Sequence, residues 1–154
     1  GTAELWISPH TPTVTSLSPA WIAMVRRDHG FKQVRWEYTV SVPVTTLDQL
    51  IAAYGLPAFC KIDVEGYELE VLKGLTQPIR VLSFEYLPAY LNAARSCVAI
   101  LATLGRYEFN HSVGESHQLR SKVWLNTAEC LAWLDTLTHA GGGSGDIYAR
   151  LQAS

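Results

Sequence analysis

The stretch that decides the fold is Phe59–Leu75, FCKIDVEGYELEVLKGL. Its first part, Phe59–Val64, is short and mostly apolar, which is typical of a strand buried on both faces of a parallel sheet. Gly66 predicts a turn, and three leucines then recur at helical spacing. The stretch therefore predicts a strand that passes through an acidic turn into a helix, which is half of a βαβ unit.

Carboxylates lie where this fold class binds ligands, at the carboxyl end of the strand. Asp63 and Glu65 belong to the acidic turn, and Glu85 ends the next buried strand, Val81–Glu85, so it can face Asp63 across one crevice. Acids so close together need a cation, a donor-rich ligand or solvent. The residues leave an alternative open, in which Asp63 pairs with Lys61, Glu65 lies in solvent and Glu85 caps a turn.

His111 is a further candidate, because it lies near the end of the predicted strand Tyr107–Val113. A histidine there can act as a general base. The alternative is a partly buried histidine packed on an aromatic face, which is the commoner situation for a single histidine beside aromatic residues.

The rest of the chain alternates strands and helices. Before the acidic turn we predict strands Ala3–Ser8 and Val34–Val44, paired as an antiparallel ribbon with one buried face, a helix over Pro19–Arg27, and a helix from Thr46 to Tyr54. After it we predict a long helix from Pro88, a helix from Asn126 to about His139, a glycine loop at Gly141–Gly145 and a last strand, Asp146–Leu151. Strands and helices in this order predict half of a doubly wound α/β sheet.

The composition of the chain limits the classes of function that it can have. The 154 residues fit one domain, 1–154, with a ribbon and short helix in 1–45 and the half-sheet in 46–154. A formal net charge of −2 without a basic cluster argues against nucleic acid or an anionic membrane as partner. The three widely spaced cysteines are typical of reduced residues in a cytoplasmic protein. Trp6, Trp21 and Trp36 predict a packed N-terminal cluster, or a wall over a binding pocket.

The central stretch also resembles a known family. The motifs are Thr46-Leu47-Asp48, then Lys61-Ile62-Asp63-Val64-Glu65-Gly66 with Glu68, then Val71-Leu72-Lys73-Gly74. In this order and spacing they resemble the FkbM family of S-adenosylmethionine-dependent methyltransferases.

The resemblance implies a Rossmann-like sheet of the class I methyltransferases, with helices on both faces and the last strand inserted antiparallel beside its predecessor. It implies methyl transfer from S-adenosylmethionine to an oxygen of a small molecule or sugar. Asp63 and Glu65 would then contact the cofactor, and Asp63, Glu65, Glu85 or His111 would handle the acceptor's proton, directly or through a metal.

The family's glycine-rich cofactor loop is not in this chain, so we expect a C-terminal portion that binds the cofactor weakly or not at all. One rival interpretation is a non-catalytic binding or assembly module that pairs its open sheet edge with another chain, for instance as a homodimer. A second is a receiver-like domain with Asp63 as phosphoacceptor, which lacks the acidic pair that it needs on an earlier strand.

Overall fold

The computed structural model describes residues 1–137 and 143–153. Its elements, in chain order, are β1 (Thr2–Ile7), α1 (Pro19–Val25), β2 (Tyr38–Pro43), α2 (Leu47–Tyr54), β3 (Cys60–Ile62), α3 (Glu68–Lys73), β4 (Val81–Tyr86), α4 (Leu91–Leu104), β5 (Tyr107–His111), α5 (Thr127–Thr136) and β6 (Gly145–Leu151). The predicted α/β class and the antiparallel ribbon before it are confirmed. In these ranges no helix is long and apolar enough to cross a membrane.

The strands form two sheets. β1 and β2 make the two-stranded antiparallel ribbon, and the other four strands pair in the order β3-β4-β6-β5. β3 and β4 are parallel, whereas β6 lies between β4 and β5 and runs antiparallel to both. The last strand is therefore inserted as the family resemblance implied.

Three helices cover one face of the four-stranded sheet. α3, α4 and α5 pack side by side against an apolar face that includes Ile62, Phe84, Phe109 and Ile147. The opposite face carries polar residues such as Lys61. Parallel crossovers are right-handed, so a chain that winds across a sheet in one direction places its connecting helices on the same face. Helices packed on the second face would require strands that progress the other way from β3.

Local sequence signals fix the helix starts. Thr46 caps α2 and Asn126 caps α5, and in both cases the residue three positions later completes a capping box. Ser18 accepts a hydrogen bond from the backbone of Trp21 at the start of α1. These helices are confirmed, but α5 ends at Thr136, and the predicted continuation to His139 lies outside the described residues.

The ribbon differs from its prediction. β2 begins at Tyr38, not Val34, and neither Tyr38 nor Val40 is buried, with 52% and 44% of their surface exposed. The alternation of the sequence was correct, but the predicted buried face was not. The ribbon is a sheet of only two strands, so this part of β2 has no packed layer to bury it.

The prediction that the Phe59 strand is buried on both faces was wrong. The strand is three residues long and forms the edge of its sheet, and Phe59 beside it is 49% exposed. Only the face with Ile62 is buried, because the other face has no helix over it.

This free edge predicts self-association. The ribbon does not pair with it, because β1 and β2 pair only with each other. An unpaired edge strand invites pairing, so we expect the purified chain to be a dimer by light scattering. The exposed side chain of Phe59 lies beside this edge, so Phe59→Lys should shift the chain to a monomer. A wild-type monomer at tens of micromolar would contradict this.

The N-terminal segment docks on the acidic turn through close packing. Fully buried Trp21 lies against Gly66, whose φ is +87°, and a Cβ built on Gly66 would come within 2.1 Å of the indole. Ser16 Oγ also donates a hydrogen bond to the Glu65 carbonyl at 2.6 Å. Trp21 and Trp36 meet edge to face in the small apolar core of this segment. The predicted tryptophan cluster is therefore confirmed, and it closes one side of the turn.

Gly66→Ala tests this docking. The variant has to relieve both a left-handed backbone and a clash with a buried ring, so we expect the free energy of unfolding to fall by about 2–4 kcal/mol in urea titrations. Gly55→Ala is the matched control, because Gly55 has a φ of +89° but open space where a Cβ would lie. Equal losses in the two variants would show that the indole contact contributes nothing.

Candidate functional site

Three carboxylates meet at the carboxyl edge of β3 and β4. Asp63 directly follows β3, Glu85 is the penultimate residue of β4, and Glu65 follows in the acidic turn, where its φ of 51° ends the extended chain. One oxygen from each of the three lies within 4.8 Å of the others. The predicted meeting of Asp63 and Glu85 across one crevice is therefore what the structure shows, and Glu65 joins them.

A shared lysine lies beside these acids. Lys61 Nζ is 3.1 Å from Asp63 Oδ2 and 3.2 Å from Asp146 Oδ1. Burial lowers the pKa of Lys61, but the two carboxylates outweigh this and raise it overall. The alternative pairing of Asp63 with Lys61 thus exists together with the acid cluster. This ammonium contacts two aspartates, and its charge offsets only part of the burial and repulsion that raise the pKa of Glu65.

The two glutamates hold their protons unusually firmly. Burial, with repulsion from Asp63 and Glu68, raises the pKa of Glu65 to about 7. Burial, with repulsion from Glu65, Asp63, Glu68 and Asp146, raises the pKa of Glu85 to about 8. Neither glutamate has a basic side chain within ion-pair distance among the described residues. Both carboxyls therefore titrate near neutral pH, where a general acid or base is most effective.

Glu68 stabilises the acidic turn. It is only 4% exposed. Its Oε1 accepts the backbone N–H groups of Val64 at 3.3 Å and Gly66 at 3.2 Å, which ties the acidic turn to the start of α3. Burial raises its pKa against these hydrogen bonds. Glu68 therefore shapes the loop on which Glu65 sits.

His111 does not join the acids. It lies on the apolar face of the sheet, opposite the face of Lys61 and Glu85, and stacks on Trp133 with ring centroids 3.9 Å apart. Burial, with the charge of Arg120, lowers its pKa. Its role as a base stays a prediction without geometric support, and the packed-histidine alternative describes its surroundings.

Sequence reasoning missed two residues near the acids, Asp146 and His117, and it did not predict that Trp21 contacts the acidic turn. Asp146 is buried opposite Glu85 on β6, and His117 Nδ1 is 3.9 Å from its carboxylate. Trp21 borders a cavity of about 10 Å³, enough for a single water, which is also lined by Glu68 and Glu85. Its Nε1 is buried with no hydrogen-bond partner in the described structure. Only the strand order could have revealed Asp146, because β6 follows β4 by some sixty residues.

Comparison with known proteins identifies the family of the chain. The family model of the methyltransferase FkbM domain matches residues 8–141. The chain belongs to the FkbM methyltransferase family. No curated protein and no solved structure matches it.

Within this FkbM domain, residues of two family motifs form contacts that stabilise the fold. The Asp48 carboxylate accepts hydrogen bonds from Thr76 N at 3.0 Å and Thr76 Oγ1 at 2.7 Å, and Asp48 N donates to the Gly74 carbonyl at 3.1 Å. These contacts hold the start of α2 against the end of α3. Of the family motifs, the acidic turn is therefore the one whose carboxylates remain available for a ligand.

The raised pKa values predict how stability depends on pH. Between the unfolded value of 4.5 and the folded values of about 7 and 8, the folded chain binds more protons, so the free energy of unfolding falls as pH rises through this window. Glu85→Gln removes part of this slope. Its melting temperature should exceed that of the wild type by about 3–8 °C at pH 8.5, and the two should converge near pH 4.5. Calorimetry with a chelator present checks this.

Exposed Glu70, which pairs with Lys73 on α3, provides the control. Glu70→Gln should follow the wild type at every pH. A Glu85→Gln variant that is no more stable than the wild type at pH 8.5 would show that Glu85 is not forced to keep its proton.

Proposed function

We propose that this FkbM domain takes part in methyl transfer from S-adenosylmethionine to a hydroxyl oxygen of a small molecule or sugar. The observation that carries the proposal is the meeting of Asp63, Glu65 and Glu85 at the carboxyl edge of the sheet, in a chain of a methyltransferase family. A hydroxyl is a weak nucleophile until its proton is taken. Carboxylates at this edge are the groups that can take it.

The three acids support different tasks. Glu65 and Glu85, with pKa values of about 7 and 8, are suited to accept a proton near neutral pH. Asp63 is held by Lys61 at 3.1 Å, which supports a role in orienting the acceptor. Asp63 is half exposed and Glu85 is partly buried, so one side of the cluster is open to solvent and the other is shielded from it.

The residues also fit the cofactor. S-adenosylmethionine supplies a methyl group on a positively charged sulfonium and carries an ammonium at its methionine end. The cluster has more carboxylates than Lys61 can neutralise, so a cationic ligand would relieve its repulsion. We assign Asp63 and Glu65 to this end of the cofactor, since both follow β3, the strand at the edge of the sheet.

The rival function is a non-catalytic binding module that uses the same free edge. The short β3 with exposed Phe59 favours it. Substitutions distinguish the two functions. Changing the carboxyls of the cluster to amides should abolish methyl transfer, whereas binding through the sheet edge should not depend on them. The unpaired state of Cys60, Cys97 and Cys130 supports a cytoplasmic location for either one.

The proposal is tested with the complete enzyme, expressed from its whole gene. Labelled methyl transfer from S-adenosylmethionine to a panel of sugars and small alcohols identifies an acceptor. Glu65→Gln and Glu85→Gln should then lower single-turnover rates by about 10²–10⁴-fold, because a positioned proton acceptor contributes that much. Glu70→Gln, outside the cluster, should leave the rate unchanged.

Asp63→Asn separates orientation from folding. Lys61 keeps Asp146 as a partner and is 43% exposed, so the loss of Asp63 should cost at most about 1 kcal/mol of stability while turnover falls. Glutamine variants that are folded and as fast as the wild type would remove the cluster from catalysis, whereas a wild type that transfers no methyl group to any acceptor of the panel would favour the binding module.

A further inference from the structure

The loop that follows β5 brings a histidine to the carboxyl edge of the sheet. His117 lies in this loop, residues 114–121, and its Nδ1 is 3.9 Å from Oδ2 of Asp146. Asp146 lies directly opposite Glu85 in the antiparallel pair of β4 and β6, and such partners have Cα atoms about 5 Å apart. His117 and Glu85 are therefore both neighbours of Asp146.

Asp146 can bind a partner with each of its two oxygens. The residue is only 6% exposed, and its Oδ1 accepts a hydrogen bond from Lys61 Nζ at 3.2 Å. Its Oδ2 faces His117, and a buried carboxylate oxygen requires a donor. The contact is longer than a hydrogen bond, as is common in sites without their ligand. An imidazole that donates from Nδ1 keeps its Nε2 for another group, which is how carboxylates orient histidines in enzyme sites.

The Nε2 of His117 is open to a ligand. The side chain is 59% exposed, and the nearest carboxylate oxygen to this nitrogen is Glu115 Oε2 at 3.7 Å. The Glu115 side chain is 99% exposed, so solvent weakens its attraction and a ligand can displace it. Asp146, by contrast, is buried in a strand and fixes the other nitrogen.

The loop that carries His117 is held in place at both ends. At its start, Gly114 N donates to the Ser144 carbonyl at 2.7 Å. At its end, the buried side chain of Asn110 accepts from Ser121 N at 3.0 Å and donates to the Ser121 carbonyl at 2.9 Å. The fold therefore sets the position of His117.

The backbone at His117 is strained. Its φ of 49° is left-handed, and Glu65, with a φ of 51°, is the other non-glycine residue with a positive φ in the described part of the chain. Such conformations cost free energy and are concentrated at binding and catalytic sites. Both residues lie at the carboxyl edge of the sheet, where α/β proteins bind their ligands. The strain at His117 therefore also indicates a ligand-binding role.

We propose that His117 binds the acceptor, and that its Nε2 accepts a hydrogen bond from a second acceptor hydroxyl while Glu85 takes the proton of the first. In that reaction the methyl group leaves the sulfonium, which becomes a neutral thioether, and bonds to the first hydroxyl oxygen. The acceptor is then a sugar or another polyol with two nearby hydroxyls, and not an alcohol with one. This inference rests on the proposed function and deepens it, because it names the class of acceptor.

The first test compares acceptors of the complete enzyme. The probes are methyl hexosides, their monodeoxy analogues, each of which lacks one hydroxyl, and cyclohexanol, which has a single hydroxyl. One analogue that keeps the methylated hydroxyl should lose about tenfold in kcat/KM, mainly through KM, because a hydrogen bond to a hydroxyl contributes about that much. Cyclohexanol should be a poor acceptor. In His117→Asn, the parent sugar and that analogue should differ by less than about twofold.

Asparagine suits this test because it adopts left-handed backbone readily and is too short to span the same distance. The melting temperature of His117→Asn should stay within about 2 °C of the wild type. His10→Asn is the matched control, because His10 is also exposed and lies 3.8 Å from a carboxylate, that of Glu37, but belongs to the segment between β1 and α1. It should keep the sugar preference of the wild type.

A second measurement uses the wild-type chain and does not depend on methyl transfer. In nitrogen nuclear magnetic resonance at about pH 8.5, His117 should carry its ring proton on Nδ1, because the hydrogen bond to Asp146 selects that tautomer. The exposed His29 is the reference. The spectrum of His117→Asn assigns the signal.

Three results would overturn the proposal and leave the proposed function in place. They are a His117 ring proton on Nε2, methyl transfer to cyclohexanol as efficient as to the sugars, and a sugar preference that His117→Asn leaves unchanged. Failure of the proposed function looks different, because the complete enzyme would then transfer no methyl group to any probe. That result would overturn this inference together with the function on which it rests.

Discussion

The contact between Trp21 and the backbone of Gly66 joins the two halves of this molecule. Without a side chain at Gly66, the indole reaches the turn between β3 and α3 and covers it. The same turn is held from the other side by Glu68, which accepts two of its backbone N–H groups. The position of Glu65, between Val64 and Gly66, is thus fixed from both sides. A carboxylate would otherwise move away from its neighbours, and this constraint keeps it close to Asp63 and Glu85.

That constraint has an energetic consequence. Like charges at this distance repel, and the apolar tryptophan cluster reduces the solvent that would screen them. The fold accepts this cost at the edge of the sheet where ligands of α/β proteins bind. A site that destabilises its own chain is typical of functional residues, because ligand binding relieves the repulsion that folding had to overcome.

Much of this architecture could be predicted from sequence because its signals are local. The capping residues Thr46 and Asn126 and the order of strands and helices need only nearby residues. The errors concern long-range packing. Burial of the Phe59 strand and of β2 depends on layers that the sequence pattern does not reveal. The apolar alternation of a strand shows which residues share a face but not whether anything packs on that face.

The candidate site shows the same contrast between local sequence signals and long-range packing. Asp63, Glu65 and Glu85 could be predicted because each lies at a strand end or turn that the local pattern identifies. Asp146 could not, since it reaches Lys61 only because β6 inserts beside β4. The contact of Trp21 with the acidic turn could not either, since it depends on the absence of a side chain at Gly66. The inserted strand therefore supplies the counter-charge that holds Lys61, and Lys61 in turn holds Asp63. The charge balance of the site therefore depends on the strand topology, which no single sequence motif predicts.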